Sequence, residues 1–171
     1  GYMRVVTHRG RKNKTGQAYK AKHNDRNFDT EKAEHINKEK QDLNIYYHCF
    51  FNENSTLTFE EAELLFYKNN FNEALEETNK KYIKNRHKER VKTIEEIYKD
   101  NKKCPEEIIF QIGKKGDNIT KEQLQKIMNE YLEWQYKNYG TNISILSYAL
   151  HADEAGGIHV HLRQVYYAKN E

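Results

Sequence analysis

The residues best suited to chemistry lie near the end of the chain, in the segment His151-Ala152-Asp153-Glu154-Ala155-Gly156-Gly157-Ile158-His159-Val160-His161-Leu162-Arg163. Side chains two apart on a strand share a face, so His159 and His161 point the same way and Val160 takes the reverse. A turn centred near Ala155, loosened by Gly156 and Gly157, sets His151 roughly opposite His159. Facing Cβ atoms of an antiparallel pair are ~5 Å apart. Three imidazoles can then meet around one point, with Glu154 at the mouth of the turn as a fourth donor. Such a donor set suits a divalent transition metal, and Zn2+, Mn2+, Co2+ and Ni2+ all fit it. Open coordination positions would take substrate oxygens. A surface hairpin that happens to carry histidines is the plainer alternative, and the shared strand phase favours the metal.

A fourth histidine, His23, sits in Lys22-His23-Asn24-Asp25-Arg26 behind a basic arm. In isolation it reads as a solvated side chain, with Asn24 and Asp25 as turn formers. The arm is more informative. Residues 1–24 hold Arg4, Arg9, Arg11, Lys12, Lys14, Lys20 and Lys22 and no acid, leaving 22 basic against 26 acidic residues elsewhere in a chain of net charge +3. A basic arm on a mildly acidic body suits a nucleic-acid backbone, where each phosphate contact adds salt-sensitive affinity without sequence preference. A disordered, solubilising terminus is the other reading of the same charges. Base recognition would fall to other residues, among them some of the 13 tyrosines, whose rings can stack on bases.

These residues need elements to position them. With 36% hydrophobic and 32% charged residues, the composition approaches that of disordered chains. Thirteen Tyr and seven Phe, together with periodic apolar runs, nevertheless supply a core to a chain of 171 residues. Met3–Thr7 reads as a strand, Arg9–Gly16 as a basic loop, Ala18–His35 as loop and short helix, and Leu43–Phe51 as an aromatic strand. Thr58 reads as an N-cap, with Glu60, Glu61 and Glu63 in the first turn, where the helix dipole favours them. Helical spacing runs to about Arg86, and Val91, Ile94, Ile97 and Tyr98 continue an amphipathic pattern to Asp100. Pro105 punctuates the chain. Glu107–Ile112 reads as a strand, a helix capped by Thr120 runs to Gly140, and Asn142–His151 and Ile158–Ala168 form an antiparallel hairpin. The expected fold class is α+β: a mainly antiparallel sheet of about five strands with helices on its faces, in a single domain over residues 1–171.

Taken together, Tyr2-Met3, the Lys22-His23-Asn24-Asp25-Arg26 segment and the final histidine hairpin resemble the MobV (Mob/Pre) plasmid mobilisation and recombination relaxases of the HUH endonuclease superfamily. Both motifs stand in the family's order, with helices between them; residues 58–140 carry no motif that matches. The resemblance implies a five-stranded antiparallel sheet with His-x-His on a central strand. It implies His23 as nucleophile in place of the superfamily's usual tyrosine, Arg26 stabilising the transition state, and His151, His159 and His161 holding Mn2+ or Mg2+ with Glu154 close by. It implies single-stranded or supercoiled plasmid origin DNA as substrate, and transfer-apparatus proteins as partners through a C-terminal region beyond this chain. The family's His-x-Asp-Glu-x-x-Pro-His-x-His is altered here: Ala155-Gly156-Gly157-Ile158 replaces x-x-Pro, one residue longer, which changes the span from Glu154 to the histidine pair.

Asp25, Asp153 or Glu154 can orient an imidazole through its second nitrogen. Tyr19, four residues before His23, is the alternative nucleophile; Tyr46 and Tyr47 sit inside an expected strand. Within the same fold, a replication initiator or transposase would use tyrosine, normally placed after the histidine pair. A non-catalytic DNA-binding regulator with structural metal is a further reading, but structural zinc favours cysteine ligands, and Cys49 and Cys104 lie far from the histidines in the chain. A cupin-like enzyme conflicts with the long helices. The cysteines form no CxxC pair, which suits a reducing cytoplasmic setting. No apolar run approaches the ~20 residues of a membrane span, and the N-terminus lacks the apolar core of a signal peptide. The chain stops directly after a strand-like run, as expected of a domain excised from a longer protein.

Overall fold

The computed structural model describes residues 5–25, 44–54, 56–114, 116–117, 119–152 and 157–167. Strands β1 (Val5–Gly10), β2 (Ile45–His48), β3 (Glu106–Ile112), β4 (Ile143–His151) and β5 (Ile158–Tyr166) form one sheet in the order β1-β3-β5-β4-β2. Every neighbouring pair is antiparallel. The expected α+β class and five-stranded antiparallel sheet are therefore what the chain forms, and β5, which carries His159 and His161, is the central strand.

Helices cover both faces. Helix α1 (Phe59–Lys84) is followed by a 3-10 turn (Lys88–Arg90) and the short α2 (Ile94–Lys99); α3 (Lys121–Tyr139) follows β3. Each α-helix opens on a capping box: Thr58 with Glu61, Thr93 with Glu96, Thr120 with Gln123. In each, the threonine hydroxyl accepts from the N3 amide while the N3 side chain accepts from the cap amide, satisfying two donors that have no partner within the helix.

On one face, α3 packs Leu124 and Met128 against Ile108, Leu150, Val160 and Leu162. On the other, α1 and α2 bring Tyr67, Ile94 and Tyr98 onto Leu146 and Val165. The register slips between the Ile145–Gln164 and Ser147–Arg163 pairs. This bulge sends both Leu146 and Ser147 to the α1 side: Leu146 joins the cluster with Tyr67, and the Ser147 hydroxyl reaches Glu63. A third small cluster, Ala21, Phe59 and Ala149, lays the 3-10 turn Ala21–His23 on this same face, beside the start of α1.

Three expectations shift. The first strand runs to Gly10 rather than ending at Thr7, because pairing with β3 extends through Arg9–Ile108 and Gly10–Glu107. Arg9 is thus a strand residue whose guanidinium pairs with Glu106 at 3.4 Å. The amphipathic pattern to Asp100 is interrupted at Arg86, which adopts φ 62°. Helix α2 folds back along α1, held by Asn79, whose side chain bonds both the Lys92 carbonyl and amide. Glu63, read only as a first-turn acid favoured by the helix dipole, is in addition fully buried.

Candidate metal and phosphoryl-transfer site

Side chains cross the α1 face of the sheet in rows. His151 on β4 pairs with His159 on β5, which pairs with Gln111 on β3. The next row runs His8, Ile109, His161, Ala149 and Tyr46 across all five strands. The row below runs Gly10, Glu107, Arg163, Ser147 and His48. Helices α1 and α2 cover the lower rows, and the histidines occupy the end of the face that the Ala21–His23 turn approaches.

The rings of His151 and His161 lie 4.7 Å apart between centroids. The His23 ring stands edge-on to both, at 6.1 Å from His151 and 5.6 Å from His161. Two sites 128 and 138 residues apart in the chain therefore come together on one patch of sheet. One local bond and one long-range bond build the contact: the Asn24 amide bonds the Ala21 carbonyl at 2.8 Å, and the Asp25 carboxylate accepts from the first helical amide of α1, Phe59, at 2.8 Å. Asp25 thereby anchors the turn to α1.

Hydrogen bonds set the imidazole tautomers. His161 Nδ1–H donates to the Glu107 carboxylate at 3.0 Å, and His159 Nδ1–H donates to the Gly157 carbonyl at 2.9 Å. Both rings would therefore ligate through Nε2, held in place by an oxygen on the other nitrogen. His151 differs: its Nε2–H donates to the Asn24 carbonyl at 2.6 Å, so its lone pair is on Nδ1. Two imidazoles on one cation, with metal–nitrogen bonds of about 2.1 Å, place ring centroids about 5 Å apart, close to the His151–His161 spacing. The spacing of His151 and His161 thus suits a divalent metal, although among the described residues no three His, Cys, Asp or Glu side chains already form a cage. Arg4, Arg26, Asp153 and Glu154 lie outside the described residues.

Glu107 is the carboxylate that orients His161. Burial by itself would raise its pKa; the hydrogen bond from His161 and the charge of Arg163 outweigh this and hold it below the usual carboxylate range. Arg163 is fully buried, donating through Nε to Glu63 at 2.6 Å and through one terminal nitrogen to Glu107 at 2.9 Å. Burial alone would lower its pKa, but the two carboxylates push it above its ordinary value. Sequence reasoning passed over Glu63 and Glu107. The available signal was Glu63 itself, an acid in the Phe59, Ala62, Glu63, Tyr67 stripe of buried helix positions, together with Arg163 in phase with His159 and His161.

The remaining candidates divide. Arg9, Lys12, Lys14, Lys20 and Lys22 are exposed and Arg11 is half-buried. Arg11, Lys12 and Lys14 belong to a folded loop, closed by a bridge between Lys12 and Ala18 and by the Asn13 side chain accepting from the Thr15 and Gln17 amides, whereas Arg9 is on β1 and Lys20 and Lys22 flank the start of the 3-10 turn. Tyr19 packs its ring over Gly10, where a methyl group would meet it at 3.8 Å. Tyr46 shares the histidine face, with its ring 6.2 Å from His151. Tyr47 turns to the opposite face and stacks on Tyr148 at 4.9 Å. The Asn24 side chain is fully buried, and neither of its polar atoms meets a hydrogen-bond partner among the described residues.

No protein-family model matches the chain, and no curated protein does. Solved structures do. The chain is similar to the MobM relaxase domain (MOBV; Mob_Pre) in a Mn-bound crystal structure with 22 nucleotides of plasmid pMV158 oriT DNA carrying a 3′-thiophosphate. There the TM-score is 0.56 at 18% identity, covering 100% of this chain and 74% of that one. A second Mn-bound complex of the same domain with the 22-nucleotide DNA, at pH 5.5, gives a TM-score of 0.54 at 18% identity, covering 100% and 73%. A third, at pH 4.6, gives 0.54 at 16% identity, covering 93% and 68%. The chain has the fold of a MobV (Mob_Pre) relaxase domain.

Proposed function

We propose that residues 1–171 form a single metal-dependent DNA-nicking domain, a relaxase that cuts one strand at a plasmid transfer origin and stays joined to its 5′ end. The observation that carries this reading is the His23 ring, brought within 6.1 Å of His151 and 5.6 Å of His161 on a fold shared with the MobM relaxase domain. That domain's structures hold Mn and oriT DNA.

His151, His159 and His161, with Glu154, would hold Mn2+ or Mg2+; Zn2+, Co2+ and Ni2+ suit the same nitrogens. Once bound, the cation would supply Lewis-acid charge beside the non-bridging oxygens of one phosphate. His23 attacks phosphorus with a ring-nitrogen lone pair, forming a P–N bond as the P–O3′ bond breaks. The proton on the other ring nitrogen passes through solvent to the departing 3′ oxygen, leaving a 3′-hydroxyl and a 5′-phosphohistidine. That linkage keeps the energy for rejoining, so no nucleotide triphosphate is needed. Arg26 makes bidentate contacts to the equatorial oxygens as charge builds. The basic residues Arg4, Arg9, Arg11, Lys12, Lys14, Lys20 and Lys22 hold backbone phosphates. The reading carries with it a cytoplasmic location and transfer-apparatus partners.

The test uses labelled single-stranded oligonucleotides: the oriT strand seen with MobM, and strands tiled across the DNA flanking this chain's own coding sequence. With Mn2+, a denaturant-resistant protein–DNA adduct is expected, lost in His23→Ala and kept in Tyr19→Phe. An adduct lost only in Tyr19→Phe moves the nucleophile to Tyr19, and salt-sensitive binding with no adduct under any metal makes the chain a non-catalytic binder.

A further inference from the structure

We infer that Arg163 is a positioning residue that ties the candidate metal site to the segment carrying His23; the catalytic part of this inference rests on the relaxase reading. Arg163 reaches three elements at once. Its Nε binds Glu63 of α1 and its Nη1 binds Glu107 of β3, whose other carboxylate oxygen holds His161 Nδ1. The same Nη1 donates to the backbone carbonyl of Tyr19 at 3.1 Å. Tyr19 stands four residues before His23, directly ahead of the 3-10 turn Ala21–His23. One planar cation therefore sets the rotamer of a proposed metal ligand and the approach of the proposed nucleophile.

The anchor is rigid. Glu63 is fully buried and also accepts from the Tyr98 and Ser147 hydroxyls, so α1, α2 and β4 all fix it. The guanidinium is matched to this role because it presents several donors in a fixed fork. A lysine keeps the charge between the two carboxylates but offers no such fork, and it cannot serve Glu63, Glu107 and the Tyr19 carbonyl together. Ordering of His161 by a cation and ordering of residues 19–24 should then be coupled, and coupling between sites acts in both directions.

The experiment compares wild type with Arg163→Lys by amide hydrogen exchange and by calorimetric Mn2+ titration. In metal-free protein, the substitution should speed exchange at the Tyr19, His23 and Asn24 amides about tenfold or more relative to the amides of β4. Mn2+ affinity should fall about 10–100-fold, as when a ligating histidine loses its orienting partner. In wild type, Mn2+ should slow exchange at the same three amides, and in Arg163→Lys it should not. Equal exchange in the two metal-free proteins overturns the tether. Should Arg163→Lys fail to fold, the wild-type response decides: Mn2+ binding with no change at residues 19–24 overturns the coupling. If wild type binds neither Mn2+ nor any of the other divalent cations named above, the relaxase reading fails by itself, and exchange in metal-free Arg163→Lys still judges the tether. In nicking assays, the expected signature is a lower kcat with KM little changed.

Discussion

Alternate residues of β5 serve two different regions of the molecule. His159, His161 and Arg163 face α1 among carboxylates, imidazoles and the His23 turn, whereas Val160 and Leu162 face α3 in an apolar cluster with Ile108, Leu124, Met128 and Leu150. The strand's period of two separates them within one covalent segment. The α3 side draws on burial of apolar area, worth roughly 1.5–3 kcal/mol for each fully buried large side chain. The α1 side spends several buried positions on an ionic network, and replacing such networks with packed apolar residues is often neutral or stabilising. Farther along the same face the apolar cluster of Tyr67, Leu146 and Val165 resumes, so the division holds for residues 159–163 of β5: a change at an apolar position there should leave the histidines' property intact, and the converse.

The comparison is tested hardest at Leu162. Leu162→Ala should cost about 2–5 kcal/mol of unfolding free energy in urea titrations, through lost burial and the cavity left behind. Mn2+ affinity of the folded variant should stay within about threefold of wild type; a large loss would show that the faces are not separable. One residue earlier, His161→Ala should reverse the pattern. Mn2+ affinity should drop about 100-fold or more in calorimetry, past the range for losing an orienting partner, while the urea midpoint moves less than for Leu162→Ala. A smaller effect tests the outer layer on the apolar side: Thr120→Ala removes the hydroxyl of the α3 capping box and should cost about 1 kcal/mol with no change in metal affinity. The smallest concerns the thiols. Burial pushes the Cys49 pKa up to about 11, and burial also raises that of Cys104. Since the thiolate is the reactive form, both should alkylate slowly in native protein at pH 8 and quickly in denaturant. Rapid native labelling would mean that the packing at Cys49, beside α1, opens readily.

What could be read from the sequence follows from the range of the forces involved. The His151–His159 pairing was legible because a strand's alternation and a short turn fix register locally. The Thr58 and Thr120 caps were legible because a cap side chain acts within three residues. The end of β1 was not, since Arg9 and Gly10 become strand only by pairing with residues of β3 about a hundred positions later. The break at Arg86 carried no glycine or proline to announce it. Glu63 looked like an ordinary first-turn acid, and partners 35 to 100 residues away, Tyr98, Ser147 and Arg163, give it another role. Glu107 was likewise unremarkable until β5 brought His161 beside it. The histidines announced themselves by spacing; the groups that hold and orient them did not, because their contacts cross the whole chain.

The central claim is that His23 attacks phosphorus beside the β4–β5 histidines. The direct measurement is peptide mapping by mass spectrometry of the adduct formed with single-stranded origin DNA and Mn2+, after nuclease trimming at neutral pH. The account predicts a 5′-phosphonucleoside on the peptide containing His23, with the modification lost on mild acid treatment, as a P–N bond requires. Modification of Tyr19 or Tyr46 that survives acid would contradict it.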